Sequence, residues 1–156
     1  MTVYERLEQT AYDNNIYLLR SALPAPLNGL FFKAMDFCTI TLSTRLQRTC
    51  EHCVVLAEEL GHYHTVIIDL FHAPPEMQEY YERRAFEWMV HELVPLPRLV
   101  DSWKSGIRTA WETAEYLEVT EELLIKALNY YEQHYGSCVK CGSYCIHFRP
   151  IEVKEA

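Results

Sequence analysis

The stretch VVLAEELGHYHT, residues 54–65, constrains this chain more than any other, because it sets ionisable side chains among aliphatic ones. The aliphatic residues predict a half-buried helix, and charged groups in such a helix rarely lack a partner. Each helical residue turns about 100°, so Glu58 and His62 lie about 40° apart on neighbouring turns and can bind one ion. Glu59 is displaced by one residue, so it can reach a water molecule on that ion without binding the ion itself.

Two interpretations of this segment stay open at this point. Zinc peptidases carry the helical signature His-Glu-x-x-His, and this chain has Glu58 where that signature has its first histidine. A solvated helix that happens to contain two glutamates and one histidine is the simpler alternative. A further ligand elsewhere in the chain would favour the metal site.

A second unexpected carboxylate lies in the helix predicted over residues 76–93. The apolar residues of this helix follow Glu82 at the spacing of one helical face, and they are Ala85, Phe86, Met89 and Leu93. Glu82 is therefore predicted to face the core, where an isolated carboxylate costs several kcal/mol unless it is paired or bound to a cation. A salt bridge to Lys33, Arg83 or Arg84 is the alternative, but the two arginines are adjacent in sequence and face elsewhere on the helix. A metal shared with the first helix explains the position of Glu82 more economically.

Proline, glycine and helix-capping residues divide the chain into short elements. Helices are predicted over residues 3–14, 46–63, 76–93, 97–104 and 108–117, and one more between Thr120 and Gly136. Strands are predicted over residues 16–21 and in two segments of 30–42 that turn near Met35-Asp36, while 66–71 predicts a short strand or an apolar connection. Residues 137–150 predict a closing hairpin with its turn at Gly142-Ser143. The predicted fold class is α+β, helix-rich, with a helical C-terminal part over about residues 97–135.

The composition narrows the classes of protein to consider. Hydrophobic residues make up 49% and charged residues 23% of the chain, which is the balance of one folded soluble domain over residues 1–156. No run approaches the roughly 18 apolar residues of a membrane span, and the N-terminus is polar and acidic, unlike a signal peptide. We therefore expect a cytoplasmic protein that does not contact the membrane. The net charge of −8, with scattered basic residues, argues against direct nucleic-acid binding and favours a protein partner or a small substrate.

Three segments resemble the ImmA/IrrE family of metallopeptidases, whose best-known members inactivate repressors of phages and integrative elements. LAEELGHYHT, residues 56–65, resembles the active-site helix of that family, and ERRAFEWMVHELVPL, residues 82–96, resembles its second motif. HYGSCVKCGSYCIHFRPIEV, residues 134–153, is similar to its C-terminal hairpin. The resemblance covers nearly the whole chain. It implies a zincin-like minimal metallopeptidase domain with a small antiparallel sheet and a C-terminal hairpin.

The resemblance assigns roles to four residues of this sequence. It implies that His62 and Glu82 are metal ligands and that Glu59 is the catalytic glutamate. Glu58 departs from the family, whose usual ligand at this position is an imidazole. Carboxylate oxygens also bind zinc, so Glu58 is expected as the third ligand. The resemblance implies zinc as the ion. A site with one histidine and two carboxylates is harder and more anionic, so manganese or another divalent ion would also be tolerated.

The implied function is that of a zinc-dependent endopeptidase that cleaves a regulatory protein, with a helix-turn-helix repressor of a phage or integrative element as the expected partner. In the implied mechanism the metal supplies Lewis acidity, while Glu59 accepts a proton and passes it to the leaving amine. The donor that stabilises the oxyanion stays open among His64, His91 and several tyrosines. The alternative function is a catalytically inactive zincin-like protein that sequesters its partner, because Glu58 replaces the expected histidine.

The six cysteines suggest a second metal site. Two of the pairs have the C-x-x-C spacing of structural zinc ligands, but 84 residues separate Cys53 from Cys138, which is far beyond the spacing of a zinc ribbon. A local site would consist of Cys138, Cys141, Cys145 and His147. In a regular hairpin Cys138 and Cys141 point to opposite faces, so thiols that pack in or near the core are the favoured alternative.

Overall fold

A computed structural model describes residues 1–66 and 72–156, which fall into two compact units, Met1–Glu92 and Leu93–Ala156. The first unit contains α1 (Val3–Asp13), β1 (Ile16–Ser21), β2 (Gly29–Ala34), β3 (Phe37–Ser43), α2 (Thr49–Thr65) and all but the last residue of α3 (Pro75–Leu93). The second unit contains α4 (Leu96–Lys104), α5 (Ala110–Leu117), α6 (Glu121–Tyr135), β4 (Cys138–Cys141), β5 (Tyr144–Phe148) and β6 (Ile151–Glu155). The expectation of a single domain over residues 1–156 stays a prediction.

The first unit is built on a three-stranded sheet of order β1-β3-β2. A tight turn at Met35-Asp36 joins β2 to β3, so these two strands pair antiparallel, whereas β1 pairs with β3 in parallel. One face of the sheet packs against α1 and α2. Ile40 and Leu42 of β3 are fully buried, as are Leu7 of α1 and Leu56 of α2. This layer is the core of the first unit.

Helix α2, which carries most of the candidate site, is fixed at its N-terminus by a capping interaction. The carboxylate of Glu51 accepts hydrogen bonds from the backbone N–H groups of Gln47 and Arg48, both at 2.9 Å. These bonds satisfy backbone donors that otherwise lack a partner at the start of a helix. The buried residues of α2 include Leu56, Leu60 and Glu59. A carboxylate therefore lies on the same buried surface as the leucines that anchor the helix.

The second unit packs α4–α6 beside an antiparallel sheet of order β4-β5-β6. Tyr131 of α6 is fully buried, and its hydroxyl donates a hydrogen bond to the carbonyl oxygen of Val94 at 2.8 Å. Its ring stacks on Phe148 with a centroid distance of 5.7 Å. Because a buried hydroxyl needs a partner, this bond fixes the position of α6 against the start of α4.

The predicted α+β class is confirmed, and so are the turns at Met35-Asp36 and Gly142-Ser143. Two features differ from the expectation of a small antiparallel sheet and a C-terminal hairpin. β1 lies parallel to β3, and β6 extends the hairpin to three strands. The prediction for residues 66–71 lies outside the described residues, apart from Val66. Within the described ranges, no helix combines the length and the apolar character that crossing a membrane requires.

Candidate metal centre

Three side chains from α2 and α3 converge at one point. Glu58, His62 and Glu82 each offer a donor atom, and these atoms all lie within 4.8 Å of one another. His62 Nε2 lies 3.6 Å from Glu82 Oε2. The expected convergence of these residues is therefore observed, and their role as metal ligands is proposed below.

The convergence depends on a close crossing of α2 and α3 at Gly61. A Cβ atom at this position would lie 2.6 Å from the backbone oxygen of Ala85, which is closer than real contacts allow. The two helix backbones therefore touch where Gly61 has no side chain. His62 follows Gly61 directly, and Glu82 lies about one turn before Ala85 on the same side of α3. The crossing thus places the imidazole beside the carboxylate.

The burial expected for Glu82 was wrong. Its side chain is 58% exposed, whereas the adjacent Tyr81 is buried. Residues 75–80 of α3 are all exposed, so Tyr81 is the first buried residue of the helix. The apolar face of α3 is covered only from this point on, and Glu82 lies at the edge of the covered part. The argument from the cost of a buried carboxylate therefore does not apply, although the side chain still reaches His62.

The three donors fit a divalent cation. An imidazole nitrogen and two carboxylates are a common donor set for Zn²⁺, and the two oxygens also suit Mn²⁺. Glu58 and Glu82 are exposed and His62 is half-buried, so the point where they meet is open to solvent on the carboxylate side. A metal site with only three protein ligands leaves a coordination position for substrate or water, as catalytic sites require. These residues are the part of the described chain that would hold the ion.

Glu59 lies next to this group but points into the protein. It is only 8% exposed, and the backbone of β2 closes over it. A Cβ atom at Gly29 would lie 2.8 Å from Glu59 Oε1, so only glycine leaves room for the carboxylate here. The backbone N–H of Phe31 donates a hydrogen bond to the same carboxylate. Strand β2 therefore positions Glu59.

The surroundings of Glu59 raise its pKa from 4.5 to about 8. The largest cause is burial, which disfavours the charged carboxylate, and the negative charges of Glu58 and, more weakly, Glu82 act in the same direction. The hydrogen bond from Phe31 opposes them by stabilising the charged form. A carboxyl group with a pKa near neutral can exchange a proton at physiological pH, which is the property required of a general base.

Comparison with known protein families identifies the family of this chain. The model of the peptidase M78 family, described as the IrrE N-terminal-like domain, matches residues 13–129, well over half of the chain. This chain belongs to the peptidase M78 family. No curated protein and no solved structure matches it. The matched range of this M78 domain contains Glu58, Glu59, His62 and Glu82, and the family assignment agrees with the ImmA/IrrE resemblance.

The sequence did not reveal which residues position the site of this M78 domain. Gly29 and Phe31 hold Glu59, and Gly61 allows the helix crossing. Only Gly61 left a signal, because an isolated glycine inside a helical pattern usually has a packing or functional reason. The contact of Gly29 with Glu59 links residues 30 positions apart and has no local signature. Among the candidate oxyanion donors, His64 stacks its ring on that of Trp88 at a centroid distance of 4.7 Å.

The four-residue cysteine site of the M78 domain is not formed. The register of β4 and β5 places Cys138, Cys145 and His147 on one face of their sheet and Cys141 on the other. Among the described residues, the only group of three or more metal-binding side chains that meet is Glu58, His62 and Glu82. None of the six cysteines forms a disulfide. Cys38 and Cys53 are buried in the first unit, as the alternative expectation held, while Cys138 is exposed.

Proposed function

We propose that this M78 domain is a metal-dependent endopeptidase whose substrate is a regulatory protein. The observation that carries the proposal is the convergence of Glu58, His62 and Glu82 within 4.8 Å, next to a buried glutamate. A helix-turn-helix repressor of a phage or integrative element is the proposed substrate, on the strength of the ImmA/IrrE resemblance. Such a repressor acts in the cytosol, which is therefore the proposed compartment.

Each residue has a separate role in the proposed reaction. A divalent ion held by Glu58, His62 and Glu82 would supply Lewis acidity to the scissile carbonyl and to the attacking water. Glu59 accepts the proton of that water and passes it to the nitrogen of the leaving amine. The N–H of Phe31 keeps the carboxylate in place during both transfers. A nearby cation favours the charged form of Glu59, so metal binding lowers its pKa and prepares it to accept a proton.

Strand β2 offers a way to align an extended peptide beside Glu59. The N–H of Ser43 donates a hydrogen bond to the carbonyl oxygen of Asn28, so the even-numbered residues of β2 direct their backbone N–H and C=O groups towards β3. The backbone groups of the odd-numbered residues Gly29, Phe31 and Lys33 therefore point away from β3. Among the described residues, β2 pairs on one side only. The N–H of Phe31 is bonded to Glu59, so a peptide would bind through the carbonyl oxygen of Phe31 and the backbone groups of Gly29 and Lys33 and would pass close to Glu59.

The test is an incubation of the purified chain with the repressor encoded beside its gene, followed by mass analysis of the products. We expect fragments that disappear when a chelator is present. Glu59→Gln should bind metal and yield no fragments, because an amide cannot accept the proton while the ligands remain. Glu87→Gln, the same change at a half-buried position of α3 outside the site, is the control and should cleave normally.

The alternative function has one specific observation in its favour, namely that Glu58 stands where the family carries an imidazole ligand. A protein that only sequesters the repressor would leave it intact in a stable complex, with or without chelator. That result would contradict the peptidase. Cleavage by Glu59→Gln at the rate of wild type would instead contradict the role of Glu59.

A further inference from the structure

The face of the first sheet that points away from α1 and α2 carries no charge. This outer face consists of the odd-numbered residues of β1 and β3 and the even-numbered residues of β2. None of these ten residues is Asp, Glu, Lys or Arg, although charged residues make up 23% of the chain. The charged residues of the same strands, Arg20 and Lys33, lie on the other face. The outer face is thus uncharged, with the hydroxyl side chains of Ser21, Thr39, Thr41 and Ser43 among apolar ones.

The strand register arranges the large apolar side chains of the outer face in two rows. Tyr17 and Phe32 flank Thr39 of the central strand, and Leu19 and Leu30 flank Thr41. These four large side chains are between 38% and 60% exposed. At the end of the first row, the ring of Phe37 stacks on that of Tyr17 at 5.2 Å. The exposed apolar side chains of the sheet are therefore grouped on one face rather than scattered.

The pairing of the strands indicates that such a surface is normally covered. Sheets with one face in water alternate apolar and polar residues, whereas strands that pair in parallel are usually buried on both faces. β1 pairs with β3 in parallel, and neither strand has a charged residue on the outer face. Large contiguous apolar patches on soluble proteins mark interaction sites.

We propose that the outer face is the surface through which two copies of this chain associate, with their sheets stacked face to face. In a two-fold symmetric interface each surface meets its own copy, so a charge near the axis would meet a like charge. A face without any charge avoids that repulsion. The hydroxyl group of Thr41, which is partly exposed near the centre of the face, can form a hydrogen bond across the axis.

The available area fits a weak dimer. The outer face has five large apolar side chains of roughly 100 Å² exposed area each, which give about 500 Å² per copy. Two copies would bury about 1,000 Å², which is at the small end of the range and typical of weak, reversible interfaces. We therefore expect a dissociation constant in the micromolar range. The chain carries a net charge of −8, so two copies repel each other and salt should strengthen the dimer by screening.

The dimer is independent of the proposed peptidase activity. The residues of β2 alternate, so Leu30 and Phe32 lie on the outer face while Gly29 and Phe31 contact Glu59. A change on the outer face should leave the metal-binding residues unaltered. The oligomeric state is also measured without substrate or metal, so failure of one proposal is distinguishable from failure of the other.

Sedimentation velocity over about 1–200 µM chain tests the dimer directly. We expect a reversible monomer–dimer equilibrium in wild type, and at least a tenfold higher dissociation constant in Phe32→Lys. Tyr12→Lys makes a similar aromatic-to-lysine change at a 78% exposed position of α1, away from the outer face, and should dimerise like wild type. Phe32→Thr keeps a residue that favours strands and removes the ring, so it should also weaken the dimer.

Three results would overturn the proposal. If wild type stays monomeric up to about 200 µM, the outer face is covered by a different molecule or is not covered at all. A dimer that survives both Phe32→Lys and Phe32→Thr would use a different surface. A dimer that Tyr12→Lys weakens as much as Phe32→Lys would not depend on this face.

Discussion

The groups around Glu59 act on the protonation of its carboxylate in opposite directions. Burial and the negative charge of Glu58 favour the protonated form, while the N–H of Phe31 favours the carboxylate. The first two dominate, so without a cation the folded protein binds this proton up to a pH of about 8. An unfolded chain releases it near 4.5. Between these values the folded state holds more protons than the unfolded state, so its stability falls as the pH rises.

The first prediction follows from that difference. The free energy of unfolding of chelator-treated wild type should fall between about pH 5 and pH 9 by several kcal/mol more than that of Glu59→Gln. Glutamine does not titrate, so subtracting its curve removes the contributions of all other groups. Urea unfolding at a series of pH values measures both curves. Parallel curves would show that the folded-state pKa of Glu59 is ordinary.

A second prediction concerns Glu58, the residue that departs from the family. Glu58→His should shift the preference of the site from manganese towards zinc and preserve or raise proteolysis, because imidazole is a softer donor than carboxylate. Competition between Zn²⁺ and Mn²⁺ for the purified variant measures the preference. An unchanged preference would mean that Glu58 does not bind the ion. Recovery of metal without cleavage would favour the sequestering protein.

At the scale of elements, the site depends on how closely α2 approaches α3. Gly61 is the contact point, because any side chain there would meet the backbone of Ala85. His62 and Glu82 lie on either side of this contact, so a small increase in helix separation moves the imidazole away from the carboxylate. Alanine is the better helix former, so helix propensity and packing make opposite predictions for this position.

We predict that the packing effect at Gly61 outweighs the gain in helix propensity. Gly61→Ala should lower the stability by roughly 1–3 kcal/mol, since overpacking a rigid contact costs more than the gain in helix propensity. It should also weaken metal binding at least tenfold, and Gly61→Ser should do both to a greater extent. Thermal unfolding and a metal titration measure the two effects. A more stable Gly61→Ala that binds metal normally would show that the helices do not touch at this point.

Local patterns predicted most of the elements and failed where pairing is non-local. The turns at Met35-Asp36 and Gly142-Ser143 depend on residues adjacent in sequence, and both were found. The parallel pairing of β1 with β3 joins strands separated by β2, so no local pattern specifies it. The convergence of Glu58, His62 and Glu82 was predicted because their spacing and the family motifs point to these three residues.

The exposure of the Glu82 side chain shows the same limit of local sequence patterns. Helical periodicity placed it on the apolar face of α3, yet periodicity does not tell how far the rest of the protein covers that face. Tyr81 is the first buried residue of the helix and Glu82 remains 58% exposed. Likewise, the pKa of Glu59 is raised mainly by burial and then by the charge of Glu58, and the hydrogen bond from Phe31 opposes them. Of these causes only the neighbouring Glu58 is visible in the sequence.

At the scale of the whole molecule, the candidate site and the outer face lie in the same compact unit. Glu58, His62 and Glu82 contribute the carboxylates and the imidazole, and β1–β3 contribute the outer face. The family match, over residues 13–129, extends into the second unit. Strand β2 contributes to both surfaces, with Gly29 beside Glu59 and Phe32 on the outer face. One small sheet can therefore serve catalysis and association through opposite faces.

The central claim is that Glu58, His62 and Glu82 together hold one divalent ion. Elemental analysis of protein purified without chelator tests it most directly, beside Glu82→Ala and the matched Glu79→Ala, which changes an exposed glutamate one turn earlier on the same helix. We predict about one zinc or manganese ion per chain in wild type and in Glu79→Ala, and a small fraction of that in Glu82→Ala. Wild type without stoichiometric metal, or Glu82→Ala with as much metal as wild type, would contradict the claim.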